Sequence, residues 1–406
     1  MKFREYLRED VLELALPTAV RSAIVDEGGK IYQVGGAVRD DMLGKVSKDL
    51  DLLVVGLELE NLARLLSRYG KTNLVGKAFG IIKFVPTGAT EEIDISVPRI
   101  DSKSTGKGHK DFEVKLGKGI TLTQDQLRRD FWMNAMARDV ETGEIHDIDR
   151  RGQTDIENQQ IRVIGSQAFK EDPLRMLRAV QFAARFDFKI EPETMKQIKQ
   201  NVNLIKTVSP ERFQEEFRKM FEKGTPSIGV DLLKQTGILR KLFPRAKGIF
   251  PVEYDRLDKK AFPAFLAVLL KGHKSKDIQK TMKLSNEDTK AVSDVLKYMA
   301  MRDVDSDIGL VKYMRTATPK GLENVNYTLK AQRKIDLDYR LNSMRKVGKP
   351  TSIKELGVNG RDLARVGFRG KQIGDALEYL LFYAVENGKN EKDHLLNIVK
   401  GKYGKS

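Results

Sequence analysis

The chain has 406 residues, with 73 lysines and arginines against 57 aspartates and glutamates, so its formal net charge is +16. This length predicts about two to four domains, and the positive charge favours a polyanionic partner, because side chains that neutralise phosphates release counterions. Cysteine is absent, which excludes disulfides and thiolate metal sites, and no stretch approaches the roughly 20 apolar residues that span a bilayer.

The predicted elements change character along the chain. The N-terminal segment carries acidic residues and has no long apolar core, which is not typical of a signal peptide, so we expect a cytoplasmic protein without membrane contact. Up to about residue 115, helical patterns alternate with strands, which predicts a mixed α/β domain, and later patterns are mostly helical. The predicted helices are 1–30, 38–43, 57–69, 170–186, 191–204, 210–223 and 226–236, and the predicted strands are 31–36, 50–55, 81–85 and 92–97. A stretch rich in glycine, serine and lysine, 102–109, predicts a mobile loop.

A glycine pair, Gly35 and Gly36, stands between the first predicted strand and a short helix. Glycine lets backbone N–H groups approach a phosphate closely, and Arg39 adds a charge that can grip a triphosphate. Further along, Asp49 and Asp51 lie two apart on a predicted strand, so both carboxylates point to one face. Two ionised carboxylates repel unless a cation lies between them, and oxygen ligands suit Mg²⁺.

This pattern predicts nucleotidyl transfer. Two metal ions about 4 Å apart can activate a 3′-hydroxyl and stabilise the leaving pyrophosphate in an in-line displacement. The alternative is that Asp49 and Asp51 lie on a solvated strand face, which the glycine pair and Arg39 upstream disfavour. Asp94, on a later predicted strand, is either a third carboxylate near the metals or a surface residue.

A second cluster begins with Arg128 and Arg129. The apolar residues of 128–137 predict a helix that runs into a core. Arginines at its start could reach a triphosphate or the backbone of the primer, and the alternative is a pair on a solvated face.

The third cluster surrounds Pro173, which suits the first turn of a helix. Asp172 and Arg175 are three apart, which places them on one helical face, where an ion pair is the simplest interpretation. The alternative is base recognition, since cytosine and adenine both present an exocyclic amine beside a ring-nitrogen acceptor. Asp172 can accept from the amine and Arg175 can donate to the ring nitrogen. Uracil and guanine present the reverse pattern, so one pair would select C and A without a template.

Together these motifs resemble those of a known family. GGAVRD with DLD, RRDFWMNAMA and EDPLRMLRAVQFAARF are similar to segments of the class II tRNA nucleotidyltransferases, the bacterial CCA-adding enzymes, and of the related bacterial poly(A) polymerases. RIDSKSTGKGH resembles the family's flexible catalytic loop, TVSPERFQEEFRKMF the start of its body domain, and 358–396 the tail of CCA-adding enzymes.

The resemblance implies an α+β protein, with an N-terminal α/β nucleotidyltransferase head of the polymerase-β type followed by an all-α neck, body and tail. The implied domains are the catalytic head over 1–140, a neck that recognises the base over 141–205, a body over 206–300 and a tRNA-binding tail over 301–406. Asp49 and Asp51 would be catalytic and hold two Mg²⁺ ions. The residues implied to bind the nucleotide are Gly36, Arg39, Arg129, Asp172, Arg175 and Arg178.

Three positions depart from the family's pattern. Trp132 stands where the family usually has threonine, and Gln181 stands where many relatives carry a further arginine. The segment 147–152 lacks the proline of the usual turn, which is a candidate hinge between head and neck.

We therefore expect template-independent addition of CCA to the 3′ end of tRNA from CTP and ATP. A poly(A) polymerase would share the same head site, and enzymes that add only CC or only A are further alternatives. The resemblance of the C-terminal part to the tail, with no long basic extension after it, favours CCA addition. An RNA-binding protein with an inactive head fits the composition, but the pair Asp49 and Asp51 argues against it.

Overall fold

The computed structural model of the protein describes residues 16–45, 50–75, 80–101, 114–246 and 254–403. The chain divides into two compact units, 1–207 and 208–406. Within the described residues, no helix combines the length and apolar character needed to cross a membrane.

A seven-stranded sheet organises the first unit. Its strands are β1 (Lys30–Val34), β2 (Asp51–Val55), β3 (Gly70–Val75), β4 (Ile81–Pro86), β5 (Ile93–Ser96), β8 (Ala137–Asp139) and β9 (Ile145–His146). They lie in the order β3-β4-β5-β2-β1-β8-β9, and β2 pairs with β5 in parallel while the other pairs are antiparallel. Two small sheets pair β6 (Arg99–Asp101) with β7 (Val114–Leu116), and β10 (Gln160–Ile161) with β11 (Lys189–Ile190).

Helices connect and cover these strands. Those described in the first unit are α1 (Thr18–Asp26), α2 (Gly36–Met42), α3 (Leu59–Leu66), α4 (Leu122–Leu127), α5 (Arg151–Glu157), α6 (Ala168–Glu171), α7 (Leu174–Phe186) and α8 (Pro192–Asn201). Helix α4 begins at a capping box in which Thr121 and Gln124 each accept the other's backbone N–H. Shorter 3₁₀ segments lie at Trp132–Asn134, Ile148–Arg150 and Val202–Thr207.

The two faces of the main sheet differ in what covers them. Helices α1 and α3 pack on one face, where Leu52 and Val54 of β2 are almost fully buried. Because side chains alternate along a strand, Asp51 and Leu53 point to the opposite face. There, a smaller apolar cluster contains Tyr32, Val34, Leu53 and Ala137. Strand alternation thus keeps the exposed Asp51 away from the helix-covered core.

The second unit consists of helices and turns over its described residues. Its helices are α9 (Pro210–Lys223), α10 (Pro226–Gln235), α11 (Ile238–Leu242), α12 (Phe262–Leu269), α13 (Ser275–Met282), α14 (Asn286–Ala300), α15 (Asp307–Met314), α16 (Pro319–Ala331), α17 (Leu337–Lys346), α18 (Gly360–Arg365), α19 (Lys371–Asn387) and α20 (Lys392–Tyr403), with a 3₁₀ turn at Ile353–Glu355. Several begin at a side-chain cap, as Ser209, Ser285 and Thr318 each accept a backbone N–H of the first turn. Phe217, Phe221, Phe262 and Phe265 lie in its core.

The predicted α+β class, a mixed sheet followed by helices, is confirmed. Strand β3 was not predicted, because it is a largely exposed edge strand without an apolar run. The predicted helix over 1–30 lies partly outside the described residues, and its described part ends at Asp26, so Lys30 already belongs to β1. The predicted loop over 102–109 lies outside the described residues, and the domain boundaries near 140, 205 and 300 stay predictions.

Candidate active site

The glycine turn after β1 brings an acidic and a basic side chain together. Gly35 has a φ of 73°, a conformation that residues with a side chain rarely adopt. A Cβ placed on Gly35 would lie 3.4 Å from Nη1 of Arg129 and 3.9 Å from Oδ2 of Asp51. The turn, Asp51 and Arg129 therefore meet in one place, although they are far apart in sequence.

Asp51 begins a row of charged residues across the sheet. In the parallel pair, Asp51 of β2 stands opposite Asp94 of β5, and Lys83 of β4 stands opposite Asp94 in the antiparallel pair. Paired positions share a face, so all three lie on the face that α1 and α3 do not cover. Asp49, the other predicted catalytic carboxylate, lies outside the described residues. We call Asp51, Asp94 and Lys83 the charged row.

Lys83 is held by two carboxylates. Its Nζ lies 2.5 Å from Oε1 of Glu92 and 3.5 Å from Oδ1 of Asp94. The hydrogen bond to Glu92 and then the charge of Asp94 raise the pKa of Lys83 above its ordinary value. The residue is therefore a firmly protonated cation at one end of the row.

The donor chemistry of this face fits a hard divalent cation. Asp51 and Asp94 offer carboxylate oxygens from neighbouring strands, the ligand type that Mg²⁺ prefers. Among the residues that the structure describes, no three or more acidic or histidine side chains lie close enough to hold a metal ion by themselves. The described residues therefore contribute two carboxylates to a metal site, Asp51 and Asp94, beside the backbone turn at Gly35.

The predicted helix over 128–137 is wrong. Helix α4 ends at Leu127, so Arg128 and Arg129 follow its C-terminus instead of beginning a new helix. Phe131 is extended, with φ −133° and ψ 148°, and forms an isolated bridge to Val163. The apolar residues of this segment are buried on all sides, whereas a surface helix buries one stripe. Asp130 also accepts the N–H of Phe131, which competes with a helical bond.

Asp125 anchors both of these arginines. Its side chain is fully buried, with Oδ1 accepting from Arg128 and Oδ2 from Nη2 of Arg129 at 3.0 Å. Burial raises the pKa of Asp125, but the charges of Arg129 and Arg128 outweigh it, so the pKa lies below its ordinary value. Arg129 also donates to the carbonyl of Asn134 at 3.3 Å, which aims Nη1 at the glycine turn.

Asp130 connects the turn region to helix α7. Its Oδ2 accepts from Arg178 at 2.8 and 2.7 Å, and its Oδ1 accepts from Nδ2 of Asn134 at 3.0 Å. Asn134 in turn accepts from Nη1 of Arg39 at 2.5 Å. Burial raises the pKa of Asp130, whereas Arg178 and Asn134 lower it, and the net shift is downward. We call Arg39, Asp125, Asp130, Asn134 and Arg178 the buried network.

Arg39 lies beneath the turn and is only 3% exposed. It pairs with Asp40 at 2.6 Å, and its guanidinium lies 4.6 Å from the ring centre of Phe186 in α7. Burial lowers the pKa of Arg39, and the neighbouring Asp40 opposes that shift. In this structure Arg39 holds α2 against α7, and its contact with a nucleotide stays a prediction.

The predicted base-reading pair has a different geometry from the expected one. Helix α7 begins at Leu174, so Asp172 precedes it, and the prediction that Asp172 shares a helical face with Arg175 is wrong. Pro173 explains this, because a proline disfavours helical conformation in the residue before it. Asp172 is extended and its Oδ1 accepts the N–H of Leu174 at 3.1 Å. Arg175 donates to the carbonyl of Arg128 at 2.6 Å, which ties α7 to the same segment as the buried network.

The altered turn over 147–152 contains two successive left-handed residues. Asp149 and Arg150 have φ values of 52° and 55°, which non-glycine residues seldom adopt. The carboxylate of Asp147 accepts two N–H groups of α5 at 2.9 and 2.8 Å. The guanidinium of Arg151 lies 4.7 Å from the ring centre of Trp132. Two of the unusual positions in the sequence, the tryptophan and the turn, are therefore in contact.

Several residues of the site were not singled out in the sequence. They are Asp40, Lys83, Glu92, Asp125 and Arg185. Asp125 and Asp40 are buried carboxylates, and a charged residue beside an apolar run is a signal that an oppositely charged partner lies nearby. Arg185 of α7 lies 3.3 Å from Asp40 and supplies part of that charge. Gln181, which replaces the family's arginine, is buried at 2% exposure.

Three family models match consecutive parts of the chain. "Poly A polymerase head domain" matches 31–162, "Probable RNA and SrmB-binding site of polymerase A" matches 187–249, and tRNA nucleotidyltransferase domain 2 matches 258–399. The first model spans the glycine turn, the charged row and Arg129. The chain belongs to the tRNA nucleotidyltransferase/poly(A) polymerase family. The resemblance inferred from the sequence motifs is confirmed.

Members of this family are similar in sequence and in structure. The multifunctional CCA protein of Nitrosomonas europaea is 40% identical over 225 residues, which is 55% of this chain and 52% of the relative. The chain thus spans about half the length of the curated relatives it matches. The Bacillus stearothermophilus CCA-adding enzyme in complex with CTP superimposes with a TM-score of 0.71 at 26% identity, covering 97% of this chain and 98% of that one. The Thermotoga maritima CCA-adding enzyme complexed with tRNA shares the fold, with a TM-score of 0.68, 22% identity and 97% coverage of both chains.

Proposed function

We propose that this protein adds CCA to the 3′ end of tRNA from CTP and ATP, without a nucleic-acid template. The observation that carries the proposal is the meeting of Gly35, Asp51 and Arg129 on a sheet face that also holds Asp94. A backbone turn with an acidic and a basic group beside it suits a triphosphate and its cation. The similarity to a CCA-adding enzyme described with CTP supports the choice of substrate.

Asp49 and Asp51 would hold two Mg²⁺ ions, with Asp94 as a third carboxylate. When bound, the ions neutralise the triphosphate and favour ionisation of the attacking 3′-hydroxyl. The exposed side chain of Asp51 and its register with Asp94 support this assignment. Carboxylates on neighbouring strands repel each other, so a dication between them is favourable.

The nucleotide would lie over the glycine turn, with the backbone of Gly36 and the guanidinium of Arg129 on its phosphates. Arg39 backs the turn, since its Nη2 would lie 3.1 Å from a Cβ placed on Gly36. That closeness also means that a side chain at position 36 would press on the guanidinium. Arg39 thereby links the phosphate site to the buried network.

Asp172 and Arg175 would read the base at the start of α7. Asp172 accepts from the exocyclic amine of C or A, and Arg175 donates to the ring nitrogen. Arg178 is fixed by Asp130 one helical turn later, which supports a role in orienting the same nucleotide. Because Arg175 donates to the carbonyl of Arg128, base and phosphate contacts would be held in a fixed relation.

The RNA substrate would be bound largely through its phosphates. The net charge of +16 supports a polyanionic partner, and a protein of the same fold is described in complex with tRNA. The site of action would be the cytoplasm.

A poly(A) polymerase is the second candidate, because two of the three matching family models carry that name. The third model, over 258–399, is described as a tRNA nucleotidyltransferase domain and favours tRNA as the substrate. The curated relatives named as CCA proteins favour the same choice.

One experiment separates these functions. A tRNA transcript that lacks its 3′ CCA, and an unrelated RNA of equal length, are incubated with the protein, Mg²⁺ and each nucleotide singly or together, and the 3′ ends are sequenced. CCA on the tRNA alone supports the proposal. Long A tails on both RNAs would identify a poly(A) polymerase, CC or A alone a partial enzyme, and no addition a binding protein.

A further inference from the structure

Lys83 occupies an unusual place for a lysine, because it stands in line with the two carboxylates of the charged row. The register pairs it with Asp94, and Asp94 with Asp51, across three neighbouring strands. Its ammonium lies between two carboxylates, 3.5 Å from Asp94 and 2.5 Å from Glu92. Neighbouring strands are about 4.8 Å apart, so Lys83 lies within about 10 Å of Asp51.

The surroundings of Lys83 argue against a purely structural role. Its side chain is 34% exposed, and those of Glu92 and Asp94 are each 44% exposed. Exposed ion pairs contribute little to folding. A charge about 10 Å from a bound dication still acts on it at low salt, because the screening length is about 10 Å at 0.1 M salt and about 30 Å at 0.01 M.

We propose that Lys83 is a tethered cation that pairs with Asp94 and thereby weakens the binding of a divalent cation at the Asp51 end of the charged row. This inference rests on the proposed function, in which Asp51 and Asp94 face the metal. A dication that uses Asp94 must share that carboxylate with the ammonium of Lys83. Lys83 is a positioning residue for Asp94, and it makes metal binding depend more strongly on the charge that an incoming triphosphate brings.

The test measures metal binding alone, without nucleotide transfer. The full chain is titrated with Mn²⁺ at low salt in the absence of nucleotide, and free Mn²⁺ is followed by electron paramagnetic resonance. We expect Lys83→Met to raise the Mn²⁺ affinity about threefold to tenfold, because a unit charge near a dication is removed. Lys83→Arg keeps the charge and should leave the affinity at the level of the unchanged protein. The effect of Lys83→Met should shrink at high salt.

A matched control is available on the same sheet. Lys71 of the edge strand β3 pairs with Val85, so it lies on the same face as Lys83 but two positions away from the charged row. Lys71→Met removes the same charge and should leave the Mn²⁺ affinity unchanged. In an Asp94→Asn background, Lys83→Met should have a smaller effect, because the carboxylate that Lys83 pairs with is gone and only the direct repulsion between the ammonium and the dication remains.

The outcomes separate this inference from the proposed function. Unchanged or weaker Mn²⁺ binding in Lys83→Met, or an equal increase in Lys71→Met, overturns the role of Lys83 even if CCA addition is intact. Absence of Mn²⁺ binding in every variant overturns both the inference and the metal assignment. If the Mn²⁺ affinities of all variants change as expected but the protein adds no nucleotides, the proposed function alone is refuted.

Discussion

The charged row and the buried network use the same kinds of side chain in opposite ways. In the row, Asp94 is 44% and Lys83 34% exposed at the side chain. In the network, Asp125 is fully buried and Asp130 is 11% exposed, and both are bound by arginines. Charges that remain open to solvent are available to a metal or a nucleotide. Charges that are buried and paired fix the backbone around them.

Removing an anchor of the buried network should cost far more stability than removing an exposed ion pair. Asp125→Ala leaves Arg128 and Arg129 without their partner, and we expect the free energy of unfolding to fall by about 3–5 kcal/mol. Glu157→Ala breaks an exposed pair with Arg150 and should cost less than about 1 kcal/mol. Urea unfolding followed by the fluorescence of Trp132, the only tryptophan, measures both. Equal losses in the two variants would remove the distinction between buried and exposed charges.

The buried carboxylate of Asp155 extends the comparison to the pH dependence of the free energy of unfolding. Burial raises the pKa of Asp155 to about 6, although Gln160 and Arg162 oppose the shift. The folded state therefore holds this proton more tightly than the unfolded state, whose pKa is about 4. The stabilisation is complete below pH 4 and is lost as the pH rises through 6. We expect this group to lower the free energy of unfolding by about 1–3 kcal/mol between pH 4 and 7, and Asp155→Asn should lack that loss in urea unfolding at each pH. Parallel pH curves for the two proteins would contradict the prediction.

The next prediction concerns the choice of base by Asp172. Asp172→Ala removes the acceptor for the exocyclic amine, so U and G should enter more readily. We expect the preference for C over U to fall about tenfold to a hundredfold, since an unpaired polar group costs about 1–3 kcal/mol. Single-nucleotide incorporation with each triphosphate, under single-turnover conditions, gives the ratio directly. An unchanged ratio would mean that the base is read elsewhere.

The smallest expected effect concerns the contact between the altered turn and the tryptophan. Arg151→Ala removes the guanidinium that lies over the ring of Trp132, and we expect a loss of about 0.5–2 kcal/mol. Arg150→Ala in the same turn is the matched control, because its side chain is 71% exposed and it lacks this ring contact. A double-mutant cycle with Trp132→Leu, in urea unfolding followed by circular dichroism, measures the coupling. Additive losses would show that the stacking contributes nothing.

The sequence predicted those parts of the site that depend on local rules. Gly35 and Asp51 were found because a glycine turn and strand alternation are short-range patterns, and Gly35 indeed has a positive φ. The segment after Leu127 differs from its prediction because a run of apolar residues has the same pattern in a buried helix and in an irregular buried segment. The break at Asp172 follows from Pro173, because a proline that begins a helix also disfavours helical conformation in the residue before it.

Contacts between side chains that are far apart in the chain could not be predicted from the sequence. Lys83 and Asp94 become neighbours only because β4, β5 and β2 lie side by side, and the strand order is set by the packing of the whole sheet. The bond between Asp130 and Arg178 spans 48 residues and closes only when α7 docks. A charged residue in an apolar run indicates that it has an oppositely charged partner, but the sequence does not identify that partner.

The most direct test of the central claim is the chemical step in Asp51→Asn. This change keeps the shape of the side chain and removes the charge beside the glycine turn. We expect the single-turnover rate of nucleotide addition to fall by about 10³-fold or more, since metal-held charge supplies several kcal/mol of the catalysis. The melting temperature and the affinity for tRNA, measured on the same samples, should stay close to those of the unchanged protein. A variant that adds nucleotides at the original rate would contradict the assignment of Asp51 to the chemical step.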